Sequence, residues 1–270
     1  MTIEAGGVKI GKGQRLAIIS GPCAIESFDE CVRIGEAVKA LCDRFGFSYI
    51  FKASFDKANR SSIDSPRGPG LDEGLSLIHS VGERLGVPVT TDVHESAQLP
   101  AVGEAIDLVQ VPAFLCRQTD LLVACAATGR AVNVKKGQFM SPGEMVNVLK
   151  KLDEAGASGV MLTERGTFFG YNRLVNDFVG LGDMMELGRP VCFDVTHSTQ
   201  QPGGEGTKSG GRPERAPLLA RAATAAGVDA LFIETHPTPQ KALSDGATMV
   251  PLERMEGLLE GVARVRDAVV

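Results

Sequence analysis

The sequence predicts an α/β fold, a single (β/α)8 barrel (TIM barrel) in one domain over residues 1–270. Short β-branched runs alternate with longer helical patterns, and this alternation repeats through eight units. The chain is also long enough, at 270 residues and 43% hydrophobic, to bury one large core. A doubly wound sheet is the alternative, but it usually has a glycine-rich turn after its first strand, and Gly21-Pro22-Cys23 does not match that fingerprint.

Hydrophobic periodicity assigns each unit in order. In the first helix Val32, Val38 and Leu41 share an apolar face, and Gly86 and Pro88 are stop signals after the second helix. The strands are predicted at residues 16–20, 49–53, 89–93, 108–111, 131–134, 160–163, 191–195 and 231–234. The helices are predicted at residues 29–45, 71–85, from 95, 118–128, 142–155, 173–187, 213–226 and 251–269.

Two segments stand apart from these units. Residues 1–13 place glycines between Ile3, Val8 and Ile10, which predicts a small hairpin that caps the bottom of the barrel. Residues 200–211 form a glycine-rich segment inside the seventh unit. We expect this segment to be a lid that orders over bound substrate.

Composition excludes several classes of function. A net charge of −5 and a pI near 5.5 argue against nucleic acid or an acidic membrane as the main partner. No apolar run approaches the roughly 18 residues of a membrane span, and the N-terminus is too polar for a signal peptide. We therefore expect a cytoplasmic protein, and the six scattered cysteines are expected to be reduced thiols.

The stretch from Phe51 to Ser62 has the chemistry of a phosphate site. Lysines, an arginine, an asparagine and hydroxyls follow a buried strand within a few residues, and they supply fixed positive charge and directional hydrogen bonds. A solvated basic loop is the alternative. Polar clusters behind most of the other predicted strands favour the functional interpretation.

Barrel strands place their carboxyl ends on one face, where active sites lie. Cationic groups at these ends, Lys52, Lys135 and Arg165, together with Lys57 and Arg60, predict two bound anionic groups side by side. The candidate catalytic residues are Lys52, Lys57, Asp92, His94, Lys135, Arg165 and His197. The candidate substrate-binding residues at or near these ends are Ser54, Asn59, Arg60, Ser61, Gln110 and Ala113.

A metal site is also predicted at this face. Cys23, His197 and Glu234 come from the first, seventh and eighth units, and Asp245 follows in the next loop. Thiolate, imidazole and carboxylate are the ligand types of one divalent transition metal ion, with zinc, iron, manganese and cobalt all open. His94 and His236 are alternatives to His197, whereas His79 lies mid-helix and is expected to be structural.

A series of motifs lies in order over nearly the full length: Lys57-Ala58-Asn59-Arg60-Ser61-Ser62, Arg67-Gly68-Pro69-Gly70-Leu71, Thr91-Asp92-Val93-His94-Glu95, Pro112-Ala113-Phe114-Leu115, Arg117-Gln118-Thr119-Asp120, Asn133-Val134-Lys135-Lys136-Gly137-Gln138-Phe139, Phe169-Gly170-Tyr171-Asn172 and Phe193-Asp194-Val195-Thr196-His197-Ser198. Together they closely resemble the 3-deoxy-D-manno-octulosonate-8-phosphate synthases. The resemblance implies a (β/α)8 barrel that assembles as a homotetramer, and an enzyme of lipopolysaccharide biosynthesis. It also implies condensation of phosphoenolpyruvate with arabinose 5-phosphate and water, with release of inorganic phosphate.

The same resemblance implies residue roles. Lys135 and Arg165, with Lys57 and the turn at Ala113, would hold the carboxylate and phosphate of phosphoenolpyruvate. Asn59, Arg60 and Ser61 would hold the sugar phosphate, and Arg117 would reach it from an adjacent subunit. Phe114 is a further candidate substrate-binding residue that the resemblance implies. The family has a metal-dependent branch with cysteine, and a metal-independent branch with asparagine, at the position of Cys23, so this chain resembles the metal-dependent branch. The four metal ligands of that branch match Cys23, His197, Glu234 and Asp245.

Three other functions are weighed against this one. The related 3-deoxy-D-arabino-heptulosonate-7-phosphate synthases use erythrose 4-phosphate and typically carry a Lys-Pro-Arg-Thr-Ser pattern where this chain has residues 57–62. A class I aldolase would form a Schiff base on Lys52 or Lys135. A non-enzymatic sugar-phosphate-binding barrel would leave the metal ligands and the lid without a use.

Overall fold

The computed structural model describes residues 1–59, 63–205 and 208–269. Eight parallel strands form a closed barrel, in which the last strand pairs with both the first and the seventh. We number all strands in chain order. The barrel strands are β3 (Ala17–Gly21), β4 (Ser48–Lys52), β5 (Val89–Asp92), β6 (Leu108–Val111), β7 (Ala131–Lys135), β8 (Val160–Glu164), β9 (Val191–Asp194) and β12 (Ala230–His236). The predicted (β/α)8 fold is therefore confirmed.

Helices connect consecutive barrel strands and cover the outside of the barrel. They are α1 (Phe28–Phe45), α2 (Leu71–Leu85), α3 (Leu99–Ala105), α4 (Thr119–Ala127), α5 (Met145–Glu154), α6 (Phe178–Glu186), α7 (Ala216–Ala226) and α8 (Met255–Val269). Short 3₁₀ turns precede α3, α5, α7 and α8, so the continuous helices predicted from residues 95, 142, 213 and 251 begin as 3₁₀ turns. No helix in the described part of the chain is long and apolar enough to span a membrane.

The predicted helix at 173–187 begins too early. In the structure α6 starts at Phe178, where the Asp177 carboxylate caps the helix by accepting from the backbone N–H groups of Val179 and Gly180. The preceding turn places Phe169, Tyr171 and Asn172 at positive φ, which an α-helix does not permit. Val175 then forms an antiparallel bridge with Thr167, with backbone hydrogen bonds of 2.9 Å in both directions, and this pairing keeps the residues before Asp177 out of the helix.

The N-terminal hairpin consists of β1 (Thr2–Ala5) and β2 (Val8–Gly11), paired antiparallel. Its side chains Ile3, Ala5 and Ile10 pack into the apolar interior of the barrel, formed by Ala17, Ile19, Ile50, Leu108, Ala131, Met161, Cys192, Ala230 and Phe232. These barrel residues lie toward the amino ends of their strands. The predicted cap on the bottom of the barrel is confirmed.

Alternation along the strands determines where polar groups lie. Residues two apart point to the same side of a strand, so Ile50 and Lys52, or Leu108 and Gln110, both face the interior. The apolar member of each pair is nearer the hairpin, and the polar member is nearer the carboxyl end. The interior is consequently apolar at the bottom and polar at the top.

Two smaller features complete the fold. The predicted lid at residues 200–211 contains an antiparallel strand pair, β10 (Gln200–Glu205) and β11 (Lys208–Gly211), and residues 206–207 lie outside the described part. A short strand, β13 (Val250–Pro251), pairs in parallel with the last two residues of β12. All six cysteines are free thiols, as predicted, and all are buried.

Candidate active site

Three of the predicted metal ligands meet at the top of the barrel. The Cys23 thiol donates to Asp245 Oδ2 at 3.0 Å, and ligand atoms of Cys23, Glu234 and Asp245 lie within 4.8 Å of one another. Cys23 follows β3 and Glu234 lies in β12, and these strands are neighbours because the barrel closes. Asp245 completes the group from the loop after β12 with a φ of 51°, a strained value for a residue other than glycine.

The electrostatics of this group favour a bound cation. Burial, then the charges of Asp245 and Glu234, raise the pKa of the Cys23 thiol well above its ordinary value. Glu234 Oε2 is buried and has no hydrogen-bond partner among the described residues. Three potential anions with an unpaired carboxylate oxygen therefore fit a divalent transition metal, which would stabilise the thiolate.

His197 stands beside this group. Its Nδ1 lies 2.8 Å from Asp194 Oδ2, and its backbone N–H donates to Asp194 Oδ1 at 2.9 Å. Its Nε2 lies 3.7 Å from Glu234 Oε2, although the ring is outside the group within 4.8 Å. A carboxylate on the far nitrogen of a histidine is the usual support of a metal-binding imidazole.

The other two candidate histidines face different groups. His94 Nε2 lies 3.9 Å from Asp92 Oδ2, and His236 Nε2 lies 3.6 Å from Glu26 Oε1. His79 is in an exposed helical pair with Glu83, in keeping with a structural role. His197 is thus the histidine that contacts the predicted ligand group.

Lys52 is fixed inside the site. Its Nζ forms an ion pair with Glu234 Oε1 and donates to the backbone carbonyl of Cys23 at 2.9 Å, and its side chain is 1% exposed. Burial acts to raise the pKa of Glu234, but Lys52 and His197 outweigh burial and lower it. Lys52 therefore keeps Glu234 ionised.

The other cationic side chains at strand ends, Lys135 and Arg165, form what we call the floor of the site. Lys135 Nζ lies 2.7 Å from Asp194 Oδ2 and 3.5 Å above the Phe232 ring. Arg165 Nη2 donates to Gln200 Oε1 at 2.6 Å, whereas its buried Nη1 has no partner within the described ranges. Burial lowers the pKa of Arg165. A buried guanidinium with a free N–H group is prepared to bind an anion.

A third cluster surrounds Asp92. Ser54 Oγ lies 2.9 Å from Asp92 Oδ2, and Lys57 Nζ donates to Ser54 Oγ at 3.0 Å. Gln110 Nε2 donates to Asp92 Oδ1 at 3.1 Å. Burial acts to raise the pKa of Asp92, but Lys57 and then Lys52 outweigh burial and lower it. Four predicted site residues and the nearby His94 are thus brought together.

Other predicted residues lie at the edge. Ala113 is buried in the turn after β6, while Phe114, Arg117 and Asn59 are exposed at the surface. Arg60 and Ser61 lie outside the described residues.

Sequence reasoning missed the partners of these groups. Gln200, Thr163, Asp194 and Asn133 are not among the predicted site residues. Alternation with the interior apolar residues is the signal that identifies Asn133, Thr163 and Asp194, because each lies two residues beyond one of them: Ala131, Met161 and Cys192.

Comparison with known proteins gives consistent matches. Residues 1–269 match the family model described as the DAHP synthetase I family. The chain is 56% identical to 2-dehydro-3-deoxyphosphooctonate aldolase of Cyanothece sp., over 97% of this chain and 96% of that protein. It is 52% identical to the protein of that name from Caulobacter vibrioides, over 95% and 90% of the two chains. It is also 51% identical to the protein of that name from Geobacter sp., over 99% of this chain and 98% of that protein.

Proposed function

Since this chain belongs to the DAHP synthetase I family, and within it to the 2-dehydro-3-deoxyphosphooctonate aldolases, we propose the reaction that joins phosphoenolpyruvate to arabinose 5-phosphate. Water is consumed, and the products are 3-deoxy-D-manno-octulosonate 8-phosphate and inorganic phosphate. This sugar acid places the enzyme in lipopolysaccharide biosynthesis. The observation that carries the proposal is the set of buried cations beside the Cys23, Glu234 and Asp245 group on one rim of the barrel.

Phosphoenolpyruvate carries two anionic groups, a carboxylate and a phosphate, and the buried lysine and arginine side chains of the site carry the opposite charge. We assign its carboxylate and phosphate to Lys57, Lys135 and Arg165, with the turn at Ala113 beside them. Arg165 Nη1 supports this role because it is buried without a partner in the described part of the chain. Charge builds on oxygen as the enol carbon attacks the aldehyde and as phosphate departs, and fixed cations stabilise that charge.

Cys23, His197, Glu234 and Asp245 would hold one divalent ion, zinc, iron, manganese or cobalt. Such an ion supplies polarisation and orientation of the sugar aldehyde, or activation of the attacking water. In this assignment Asp194 orients the His197 imidazole, and Lys52 keeps the Glu234 carboxylate ionised. Both are functions of this chain's own residues.

A Schiff-base aldolase is not favoured by these contacts. A lysine must be a neutral amine to attack a carbonyl, and neutral amines need an apolar or cationic environment. Lys52 instead forms an ion pair with Glu234, and Lys135 forms an ion pair with Asp194. Both side chains therefore act as fixed ammonium groups.

The sugar phosphate is assigned to Asn59, Arg60 and Ser61, and Arg117 would reach it from an adjacent subunit of a homotetramer. Phe114, 51% exposed, and the exposed Arg117 support a contact with a second copy, because a large aromatic side chain gains stability when it is covered. We infer a cytoplasmic enzyme from the cytosolic metabolites it uses.

Phosphate release tests the proposal. The purified protein is assayed with phosphoenolpyruvate plus either arabinose 5-phosphate or erythrose 4-phosphate, before and after treatment with a chelator. We expect phosphate release when the acceptor is arabinose 5-phosphate and none when it is erythrose 4-phosphate. Chelation should abolish this activity, and added divalent metal should restore it. Turnover only with erythrose 4-phosphate would assign the chain to the heptulosonate synthases, and borohydride trapping of substrate would indicate a Schiff base.

A further inference from the structure

A chain of buried side-chain hydrogen bonds crosses four neighbouring strands below the site. Thr163 Oγ1 donates to Asn133 Oδ1 at 2.6 Å, and Asn133 Nδ2 donates to Gln110 Oε1 at 3.2 Å. Gln110 Nε2 then donates to Asp92 Oδ1 at 3.1 Å. The four residues lie in β8, β7, β6 and β5 in that order, and strand pairing aligns Asp92 with Gln110 and Gln110 with Asn133.

The charge at one end sets the direction of this chain. An ionised carboxylate can only accept, so Gln110 must present its amide nitrogen to Asp92. The amide oxygen of Gln110 is then left to accept from Asn133, and the amide oxygen of Asn133 accepts from the hydroxyl of Thr163. Each link points its donor toward Asp92.

A second line of donors reaches Asp92 from the opposite side. Lys57 Nζ donates to Ser54 Oγ, and Ser54 lies within hydrogen-bond distance of both Asp92 oxygens, at 3.1 and 2.9 Å. Asp92 is therefore where both lines end. Its position fixes Ser54, and through Ser54 it fixes the ammonium of Lys57.

We propose that Thr163 and Asn133 are positioning residues of the condensation, which through Gln110 fix the Asp92 carboxylate and so hold Ser54 and Lys57 against phosphoenolpyruvate. This inference rests on the proposed function. Both residues are fully buried, and the chain through Gln110 and Asp92 separates Thr163 from Lys57, so Thr163 acts only through the others. Networks of this kind lose more than one bond when a member is removed, because the remaining amides lose their orientation.

Valine at position 163 keeps the shape of threonine and removes the hydroxyl. We expect Thr163→Val to lower kcat about tenfold, with the KM for arabinose 5-phosphate changed by less than about twofold, since small misplacements of catalytic groups reduce turnover. Thr163→Ser restores the donor and should restore kcat.

Thr90 offers a matched control. It is fully buried in β5, two residues before Asp92. Its hydroxyl donates to the Leu108 carbonyl at 2.6 Å and takes no part in the chain of hydrogen bonds from Thr163 to Asp92. Thr90→Val therefore removes an equally buried hydrogen bond and should keep kcat. The proposal is overturned by wild-type kcat in Thr163→Val, or by an equal loss in Thr90→Val.

A neutron crystal structure of the deuterated wild-type protein tests the direction of the chain without any assay or folding-sensitive variant. We expect the Thr163 deuteron to face Asn133 Oδ1, the amide deuterons of Asn133 and Gln110 to face along the chain, and Asp92 to carry none. A flipped amide or a deuterated Asp92 would overturn the proposal. Absence of wild-type turnover would instead refute the proposed function and leave this arrangement to be judged by the neutron map.

Discussion

We expect the chemistry of the site to depend most on Cys23. It is buried, donates to Asp245 and lies near Glu234, so ionisation of the thiol in the absence of a cation would place a third negative charge in a buried group. A divalent ion removes this conflict, because thiolate is the form that binds metal.

Replacement of Cys23 is therefore expected to remove the metal. Cys23→Ala should bind less than a tenth of the divalent metal per subunit found in the wild-type protein and lose at least about 100-fold in kcat. Metal content is measured by elemental analysis and turnover by phosphate release. Cys31→Ala, a buried thiol in α1, serves as the control and should keep both values. A Cys23→Ala protein that is fully active and free of metal would refute the ligand assignment.

Asp92 should contribute to acid stability. Its lowered folded-state pKa means that its contribution is fully present above the unfolded value of about 3.9 and is lost as the pH falls below it. Denaturant unfolding should therefore show a steeper loss of stability below about pH 4 in the wild-type protein than in Asp92→Asn. Asp183→Asn, at an exposed position in α6, should keep the wild-type slope. Equal slopes in Asp92→Asn and wild type would contradict the assignment.

Among the elements, strands were predicted more accurately than the starts of helices. Buried strands are short apolar runs followed by polar residues, and this pattern locates Lys52 at the end of β4, although β12 continues past Glu234 to His236. The start of α6 could not be predicted from periodicity, because Val175 pairs with the backbone of Thr167, and hydrophobic spacing does not encode such a pairing. Asp177, a carboxylate before an apolar run, is the signal that would have corrected it.

The cap at Asp177 should be measurable. Asp177→Ala leaves the N–H groups of Val179 and Gly180 without their side-chain acceptor, and we expect it to lower the free energy of unfolding by about 1 kcal/mol. Asp183→Ala, within the same helix, is the comparison and should have little effect. An Asp177→Ala protein as stable as wild type would mean that water replaces the cap without cost.

The N-terminal hairpin should stabilise the barrel without affecting the chemistry. Ile10→Ala leaves a cavity at the barrel bottom and is expected to cost about 2–4 kcal/mol in unfolding free energy. Because the site lies at the opposite end, kcat below the melting temperature should stay within about twofold of wild type. Lys9→Ala, at the exposed neighbouring position, should change neither quantity. A large drop in kcat of folded Ile10→Ala would show coupling between the two ends.

At the scale of the molecule, closure of the barrel creates the site. Residues 23 and 234 are far apart in sequence and become neighbours only because β12 pairs with β3. The sequence could place these donor types, with Asp245 in the following loop, at one face of the barrel, and the family resemblance matched the same four ligands. It could not give the ion pairs of Lys52 with Glu234 or Lys135 with Asp194, because side chains at neighbouring strand ends compete for the same partners. Only the geometry decides that competition.

Assembly is a prediction at the same scale. If Arg117 acts in a neighbouring subunit, inactive Arg117→Ala and inactive Cys23→Ala proteins should recover activity when unfolded and refolded together, since some hybrid sites then contain both native residues. Phosphate release from the mixture measures this recovery, and size-exclusion chromatography should show a tetramer. A monomer, or no recovery in a mixed oligomer, would place Arg117 outside the neighbouring site.

We predict that the four side chains of Cys23, His197, Glu234 and Asp245 hold one divalent ion at the top of the barrel. Anomalous diffraction from crystals of the metal-loaded protein tests it directly. We predict one peak per subunit, about 2.3 Å from the Cys23 sulfur and about 2.0–2.2 Å from His197 Nε2 and the two carboxylates. A map without a peak there, or with the ion bound by other residues, would contradict this assignment of the ligands.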